Sequence, residues 1–453
     1  MNTGTKISNK ETIFIGLMLF SLFFGAGNLI FPPVLGQDAG MNAWSAIVGF
    51  LISGVSLPIL GVLAITYLGS DDAEGLSKRV GIRFSIAFTS LTFLTIGPFF
   101  AMPRTGNVAY EIGVVPFLEQ FGVNQSSPAF LEAFGIQSWP LFLFTIIYFT
   151  IVYVLALRPG KFVDRIGKIL TPLLFTVIGI LLVSVMTGPL GTFQAPKDAY
   201  ASYPLFKGFT EGYLTMDTIA SFVFGIIIVK AIKDRGVSNP LHVRKVAWKA
   251  GLVAAIPLAL IYAGLGYLGA VSTSAVGDFE SNGASLLVAV AREYFGLTGN
   301  VILGLTILFA CIPTAAGLAS ACSMYFRKYF PGISYKVFVF VFVLFSAIIA
   351  NVGLDQLIRF SIPVLQFIYP IIIVLIFLAF FDKLIGKRRA IYQFTVLFTA
   401  IVSFNAGLMA FNKDWDVLGK MMTLPLMDQG LAWLLPAAVG LVLGVTISFF
   451  KKS

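Results

Sequence analysis

Phe23-Phe24-Gly25-Ala26-Gly27-Asn28-Leu29-Ile30-Phe31-Pro32-Pro33 closes an apolar run that begins at Thr12. The run has the ~20-residue length that crosses the ~30 Å hydrocarbon core of a bilayer. Two glycines, an asparagine and two prolines are poor material for a continuous helix interior. Unwound backbone survives at membrane depth only where protein or a polar cavity satisfies its N–H and C=O groups. The stretch therefore reads as a broken span and a ready-made ligand site. The inner half-helix would offer carbonyls to a cation or an ammonium, and the outer half-helix would offer N–H groups to a carboxylate. That pair of ends matches a zwitterionic amino acid. Gly25-Ala26-Gly27 also fits a small-residue face for helix packing, and spacing alone leaves both readings open.

Working outward, the same apolar length recurs along the chain. The 453 residues are 58% hydrophobic and 11% charged, where a soluble domain carries roughly 25% charge. Candidate spans are Thr12–Phe31, Ala43–Leu68, Phe84–Met102, Trp139–Leu157, Ile169–Met186 and Leu214–Val229. The second half adds Gly251–Val271, Val301–Tyr325, Val337–Asn351, Ile358–Phe381, Tyr392–Phe411 and Leu431–Phe450. The fold class is thus an all-α polytopic membrane protein of about twelve transmembrane helices in one domain over 1–453. The polar start Met1–Glu11 runs into the first span without a small-residue cleavage site, which predicts a retained helix and not a signal peptide. Cys311 and Cys322 share one span, about 16 Å apart along a helix, and cannot pair.

Loop charges test the segmentation, because cytoplasmic loops carry the Lys and Arg excess. One set of loops holds Lys6, Lys10, Lys78, Arg79, Arg83, Arg158, Lys161, Arg165, Lys168 and the dense stretch Lys230–Lys249. It continues with Arg327, Lys328, Lys336, Lys383, Lys387, Arg388, Arg389, Lys451 and Lys452. The opposite set holds Lys197, Lys207, Arg292, Lys413 and Lys420, with Glu111, Glu119, Glu132, Asp278, Glu280 and Glu293. Both termini are therefore expected in the cytoplasm, and the net charge of +10 sets topology rather than marking a nucleic-acid surface. The outer connections Arg104–Ser138, Thr187–Tyr213 and Ser272–Asn300 exceed the ~2–8 residues usual between packed helices; lids and plain loops both fit.

A second, weaker interruption is Asp217-Thr218-Ile219-Ala220-Ser221-Phe222-Val223-Phe224-Gly225, five spans after the first and running the other way across the membrane. Interrupted segments at matching places in two oppositely oriented units point to an inverted-repeat transporter. The expected organisation is a first five-helix repeat at about 12–190, an inverted second at about 212–381, and two added helices at about 390–450.

The run Phe24-Gly25-Ala26-Gly27-Asn28-Leu29-Ile30-Phe31-Pro32-Pro33 resembles the first-helix signature of bacterial branched-chain amino-acid:cation symporters of the BrnQ type. Gly97-Pro98-Phe99-Phe100, Pro103-Arg104-Thr105, Arg158-Pro159-Gly160-Lys161, Asp217-Thr218-Ile219-Ala220 and Ala316-Gly317-Leu318 resemble further stretches of that family. The resemblance extends to the wider LeuT-fold group, whose first and sixth helices are broken around substrate and sodium. It implies a plasma-membrane carrier that imports leucine, isoleucine and valine with Na⁺ or H⁺ and uses no other cofactor. By the same resemblance, the backbone of Phe23, Phe24, Gly25, Ala26, Gly27 and Asn28, and of Ala220, Ser221, Phe222, Phe224 and Gly225, would hold the substrate's charged groups. Phe99, Phe100, Phe222 and Phe224 would line its side-chain pocket. A sodium site would lie near Ser21, Phe24, Ala310 and Thr314. Pro313-Thr314 stands where the family pattern suggests adjacent hydroxyls, which removes one side-chain oxygen and one backbone donor. The mechanism would then lean on protons or on carbonyls freed by the proline.

Ionisable residues inside a membrane are functional candidates because they are costly to bury. Arg104 and Arg359 sit near predicted span ends, where a long side chain can snorkel; Arg104 is also a candidate gate or packing anchor. Asp217 fits both an N-terminal helix cap and an extracellular gate. No carboxylate is expected at mid-membrane depth. The one histidine, His242, falls in a basic loop, which argues against an enzyme, and a single long chain with two broken helices argues against a channel. A cation-coupled carrier of another small neutral amino acid remains the alternative.

Overall fold

A chain in lipid must satisfy its backbone internally, and the apolar runs fold as helices. The computed structural model describes residues 7–68, 73–128, 132, 136, 138–157, 159–237, 239–278, 283–386, 388–418 and 424–450, with backbone alone for 159–171. Of the residues counted above, Lys6, Arg158, Glu280, Lys387, Lys420, Lys451 and Lys452 lie outside the described residues. Among the described residues the helices are, in order, α1 (Asn9–Phe23), α2 (Ala26–Ala39), α3 (Ala43–Leu51), α4 (Leu57–Leu68), α5 (Ile82–Leu94) and α6 (Ala101–Gly113). Then come α7 (Val115–Gln120), α8 (Trp139–Ala156), α9 (Pro159–Thr187), α10 (Ala199–Ser202), α11 (Pro204–Glu211) and α12 (Asp217–Lys233). The chain finishes with α13 (Pro240–Val276), α14 (Gly283–Tyr329), α15 (Tyr335–Ala350), α16 (Leu354–Phe381), α17 (Arg389–Phe411) and α18 (Leu434–Phe450).

Each predicted span falls on helix. Among the described residues, seven helical runs, two of them joining α2 through α4 and α5 through α7, have the length and apolarity to cross a bilayer, and eight if one bent pair counts as a span. The surface agrees with lipid as solvent: large apolar side chains are exposed along many helices, among them Ile147, Leu260, Ile348 and Val442 at 62–68%.

Helix packing relies on small residues, as expected where lipid leaves little hydrophobic drive for association. α2 lies on α13 where Gly36 abuts the Gly266 carbonyl and Gly269 abuts that of Pro33, with no room for a Cβ at either glycine. α6 crosses α14 at Gly113 and Gly304, and α11 crosses α3 at Gly208 and Ala46.

Three boundaries differ from the sequence reading. Pro32 and Pro33 lie inside α2, which continues to Ala39, so the first span opens only at Phe24 and Gly25. Proline holds the helical φ, and in a membrane helix packed neighbours can re-satisfy the backbone groups it frees, so both prolines are tolerated inside α2. The third span does not end at Met102: a π-turn at Thr95–Phe99 joins α5 to α6, which carries Arg104 into the bundle interior at 3% exposure. The snorkelling reading of Arg104 is thereby corrected, while Arg359 is exposed near the start of α16. The long outer connections hold packed helical segments, namely α6 with α7, α10 with α11, and the start of α14 before its kink at Gly296 (φ 59°).

Candidate functional site

The first break is local in origin. The Phe24 N–H still donates to the Phe20 carbonyl (2.7 Å), but Phe24 leaves the helix at ψ 97° and Gly25 is extended (φ −128°, ψ −165°). α2 restarts at Ala26, and the Gly25 N–H donates to Asn28 Oδ1 (3.1 Å), so Asn28 caps the turn that it belongs to.

The second break lies earlier than the sequence reading placed it. A 3₁₀ turn, Gly212–Thr215, ends at Met216, which adopts the left-handed conformation (φ 64°, ψ 9°), and α12 departs at 49° to the preceding helical segment. The backbone of Ala220, Ser221, Phe222, Phe224 and Gly225 is continuous helix within α12. Its amides and carbonyls are therefore spent within the helix, which corrects the expectation that they are free to hold a ligand. Gly225 serves packing, facing Ile65 on α4, and Ser221 abuts Gly61 on the same helix.

Side chains tie the two breaks together. Asn28 Nδ2 donates to Asp217 Oδ2 (2.6 Å) and to the Tyr262 hydroxyl, and that hydroxyl donates to the same carboxylate oxygen (3.1 Å). All three side chains are buried. Asp217, the first residue of α12, is thus buried inside the bundle, and a carboxylate stands beside the two breaks. From α6, Arg104 donates to the carbonyls of Leu214 (2.7 Å) and Thr215 (3.2 Å), with its guanidinium 5.1 Å above the Phe31 ring. The guanidinium thus caps the carbonyls just before Met216, and its Nε has no hydrogen-bond partner among the described residues.

Between the breaks lies a cavity of about 30 Å³, walled by Phe23, Gly25, Ala26, Gly27, Asn28, Arg104, Asp217, Ala220, Phe224 and Thr314. That volume holds about one water, so the breaks are closed on each other. Larger clefts of about 750 and 400 Å³ lie elsewhere and touch neither break.

Other expected residues divide clearly. Phe224 stands edge-on to Phe23 (5.5 Å) at the cavity wall. Phe99 packs on Phe345 and Phe100 beside it, neither lining the cavity, and Phe222 is fully buried away from it. Phe24 stacks on Phe20. Of the candidate ion ligands, Thr314 lies against Gly25 and lines the cavity. Its hydroxyl donates to the Ala310 carbonyl (3.3 Å), and the Ser21 hydroxyl donates to that of Leu17 (3.1 Å). Tyr262 and Met216 were missed. A buried Asn28 demands a partner, but nothing in sequence names a tyrosine 234 positions away.

Comparison with known proteins places this geometry. The family model described as branched-chain amino acid transport protein matches residues 8–451. The chain belongs to that family. Its relatives include the branched-chain amino acid permease BrnQ of Bacillus subtilis, 46% identical over 98% of each chain. The branched-chain amino acid transport system 2 carrier protein of Pseudomonas aeruginosa is 41% identical over 97% of each. In fold, this branched-chain amino acid transport family member is similar to MhsT in complex with L-phenylalanine (TM-score 0.58, 17% identity, all of both chains). It is also similar to Mhp1, a nucleobase-cation-symport-1 family transporter (TM-score 0.61, 12% identity, 98% of this chain and 94% of that one). The all-α, LeuT-like class of this family member is therefore as the sequence reading held.

Proposed function

We propose that this chain is a secondary active transporter and not an enzyme, importing leucine, isoleucine and valine across the bacterial plasma membrane by symport with Na⁺ or H⁺. The observation that carries the reading is the convergence of two interrupted helices on one buried cavity that a carboxylate, an amide and a guanidinium share. The names of the relatives, a branched-chain amino acid permease at 46% identity and a branched-chain amino acid transport system carrier protein at 41%, support the substrate class. The organisation that goes with it is twelve crossings with both termini cytoplasmic, in repeats of about 12–190 and 212–381 with added helices at about 390–450.

In this reading the α2 N-terminus (Ala26, Gly27) receives the substrate carboxylate, and the last carbonyls of α1 with Asp217 receive the ammonium. Phe23, Ala220 and Phe224 face the aliphatic side chain. Arg104 gates the outer path, since opening it separates the guanidinium on α6 from the Leu214 and Thr215 carbonyls. For the coupling ion, Thr314 beside Gly25 favours a cation held between α14 and the first break, with Ser21, Phe24 and Ala310 near it, while buried Asp217 favours a proton.

The test is uptake of radiolabelled leucine by proteoliposomes holding only this protein, under an inward Na⁺ gradient, an inward H⁺ gradient, or neither. Concentrative uptake under one gradient is expected and names the ion. Folded protein that moves no leucine above empty liposomes would sink the branched-chain reading in favour of another small neutral amino acid.

A further inference from the structure

A cleft of about 750 Å³ opens away from the two breaks, between the start of α1, the end of α4, the first turns of α13 and the end of α16. Its chemistry is divided. Leu60 and Leu63 of α4, Trp248 of α13 and Phe380 of α16 give it an apolar wall, and Trp248 is 50% exposed along it. His242, Lys245 and Lys249 recur at intervals of three and four on α13, which puts them on one helical face over that wall.

Fixed groups frame the cleft. Arg244 donates to the carbonyls of Thr66 (3.3 Å) and Tyr67 (2.7 Å), which end α4, and stacks 4.3 Å from the Tyr67 ring. That guanidinium is committed to holding α4 against α13. His242, Lys245 and Lys249 are exposed, form no ion pair among the described residues, and share the cleft with no Asp or Glu.

An apolar wall alone would accept any acyl chain, and a basic stripe alone would be an ordinary cytoplasmic loop. Together, over one cleft opening at the bundle surface, they select an amphiphile with an anionic head. The loop charges assign this end to the cytoplasm, where the leaflet carries anionic lipid and basic pockets between transmembrane helices bind phosphate headgroups. We propose that the cleft binds one anionic glycerophospholipid of the surrounding bilayer, its phosphate on Lys245, Lys249 and His242 and its acyl chains along Leu60, Leu63 and Phe380. Ile7, Asn9 and Thr12 of α1 line the same cleft, so the lipid touches the half-helix that precedes the first break. This site is independent of which solute the protein carries.

Trp248 supplies the probe. In nanodiscs of phosphatidylcholine doped with phosphatidylglycerol carrying brominated chains, the Trp248 fluorescence, isolated by difference from Trp248→Phe, is expected to be quenched at a mole fraction roughly tenfold lower than with brominated phosphatidylcholine. The combined variant His242→Gln, Lys245→Gln and Lys249→Gln is expected to erase that preference, and added glycerol phosphate or inorganic phosphate to leave it in place. Lys249→Gln alone, expected to weaken the preference severalfold, serves if the triple variant is unstable. Equal quenching by the two lipids, a preference that survives the substitutions, or competition by free phosphate would each overturn the proposal.

Discussion

The two helix breaks face one cavity yet arise differently. At the first, the chain opens at an extended glycine whose N–H is capped three residues on by Asn28, so a few consecutive residues suffice. At the second, a methionine holds a left-handed conformation that costs an L-residue roughly 1–2 kcal/mol. The carbonyls before it are held by Arg104 and the carboxylate after it by Asn28 and Tyr262. One break is encoded locally and the other is imposed by partners remote in sequence. Local signatures therefore reveal only half of such a site.

The largest effect is expected at the remote partner. Arg104→Ala frees two buried carbonyls and removes a charged donor, with hydrogen bonds to charged groups contributing about 1.5–3 kcal/mol each. Leucine uptake should fall by about 100-fold or more, with protease sensitivity rising around Met216 and not around Gly25. Cleavage appearing equally at both breaks would erase the distinction between them.

Asp217→Asn keeps an acceptor but loses the charge that Asn28 and Tyr262 bond. A loss of about tenfold in leucine uptake is expected, corresponding to ~1.4 kcal/mol. Tyr262→Phe combined with it should cost less than the sum of the separate losses, because the groups form one network. Additive effects would show that Asp217 acts without Tyr262.

The glycines sharpen the comparison at the first break. A Cβ on Gly27 would meet Arg104 Nη2 at 2.6 Å, whereas one on Gly25 would meet only the Thr314 methyl at 3.3 Å. Gly25 also holds φ and ψ open to any residue. Gly27→Ala is therefore expected to lower uptake about tenfold by displacing the guanidinium, and Gly25→Ala only about twofold, corresponding to ~1.4 and ~0.4 kcal/mol. The reverse order in uptake kinetics would mean that Gly25 owes its place to backbone freedom and not to the break alone.

Legibility follows the same division. Gly25 and Asn28 announced the first break because glycine and a capping amide act on their own backbone. Gly225 misdirected the second, since its missing side chain makes room for Ile65 rather than for an unwound turn. Phe99 and Phe100 were reasonable pocket candidates, but the π-turn at Thr95–Phe99, where Gly97-Pro98 interrupts the helix, turned Phe99 toward Phe345.

By itself the sequence determined the apolar lengths, the one-sided loop charge and the all-helical membrane fold, and it narrowed a first interruption to Phe23–Pro33, because each follows from transfer free energy or backbone preference within a short window. Only the tertiary structure decided that Met216 is the second break, that Arg104 and Asp217 lie inside the bundle, and which side chains share the cavity. Those features are unfavourable in isolation. They persist because hydrogen bonds from residues about 110 to 190 positions away offset the strain and the buried charge, and no local window contains both partners.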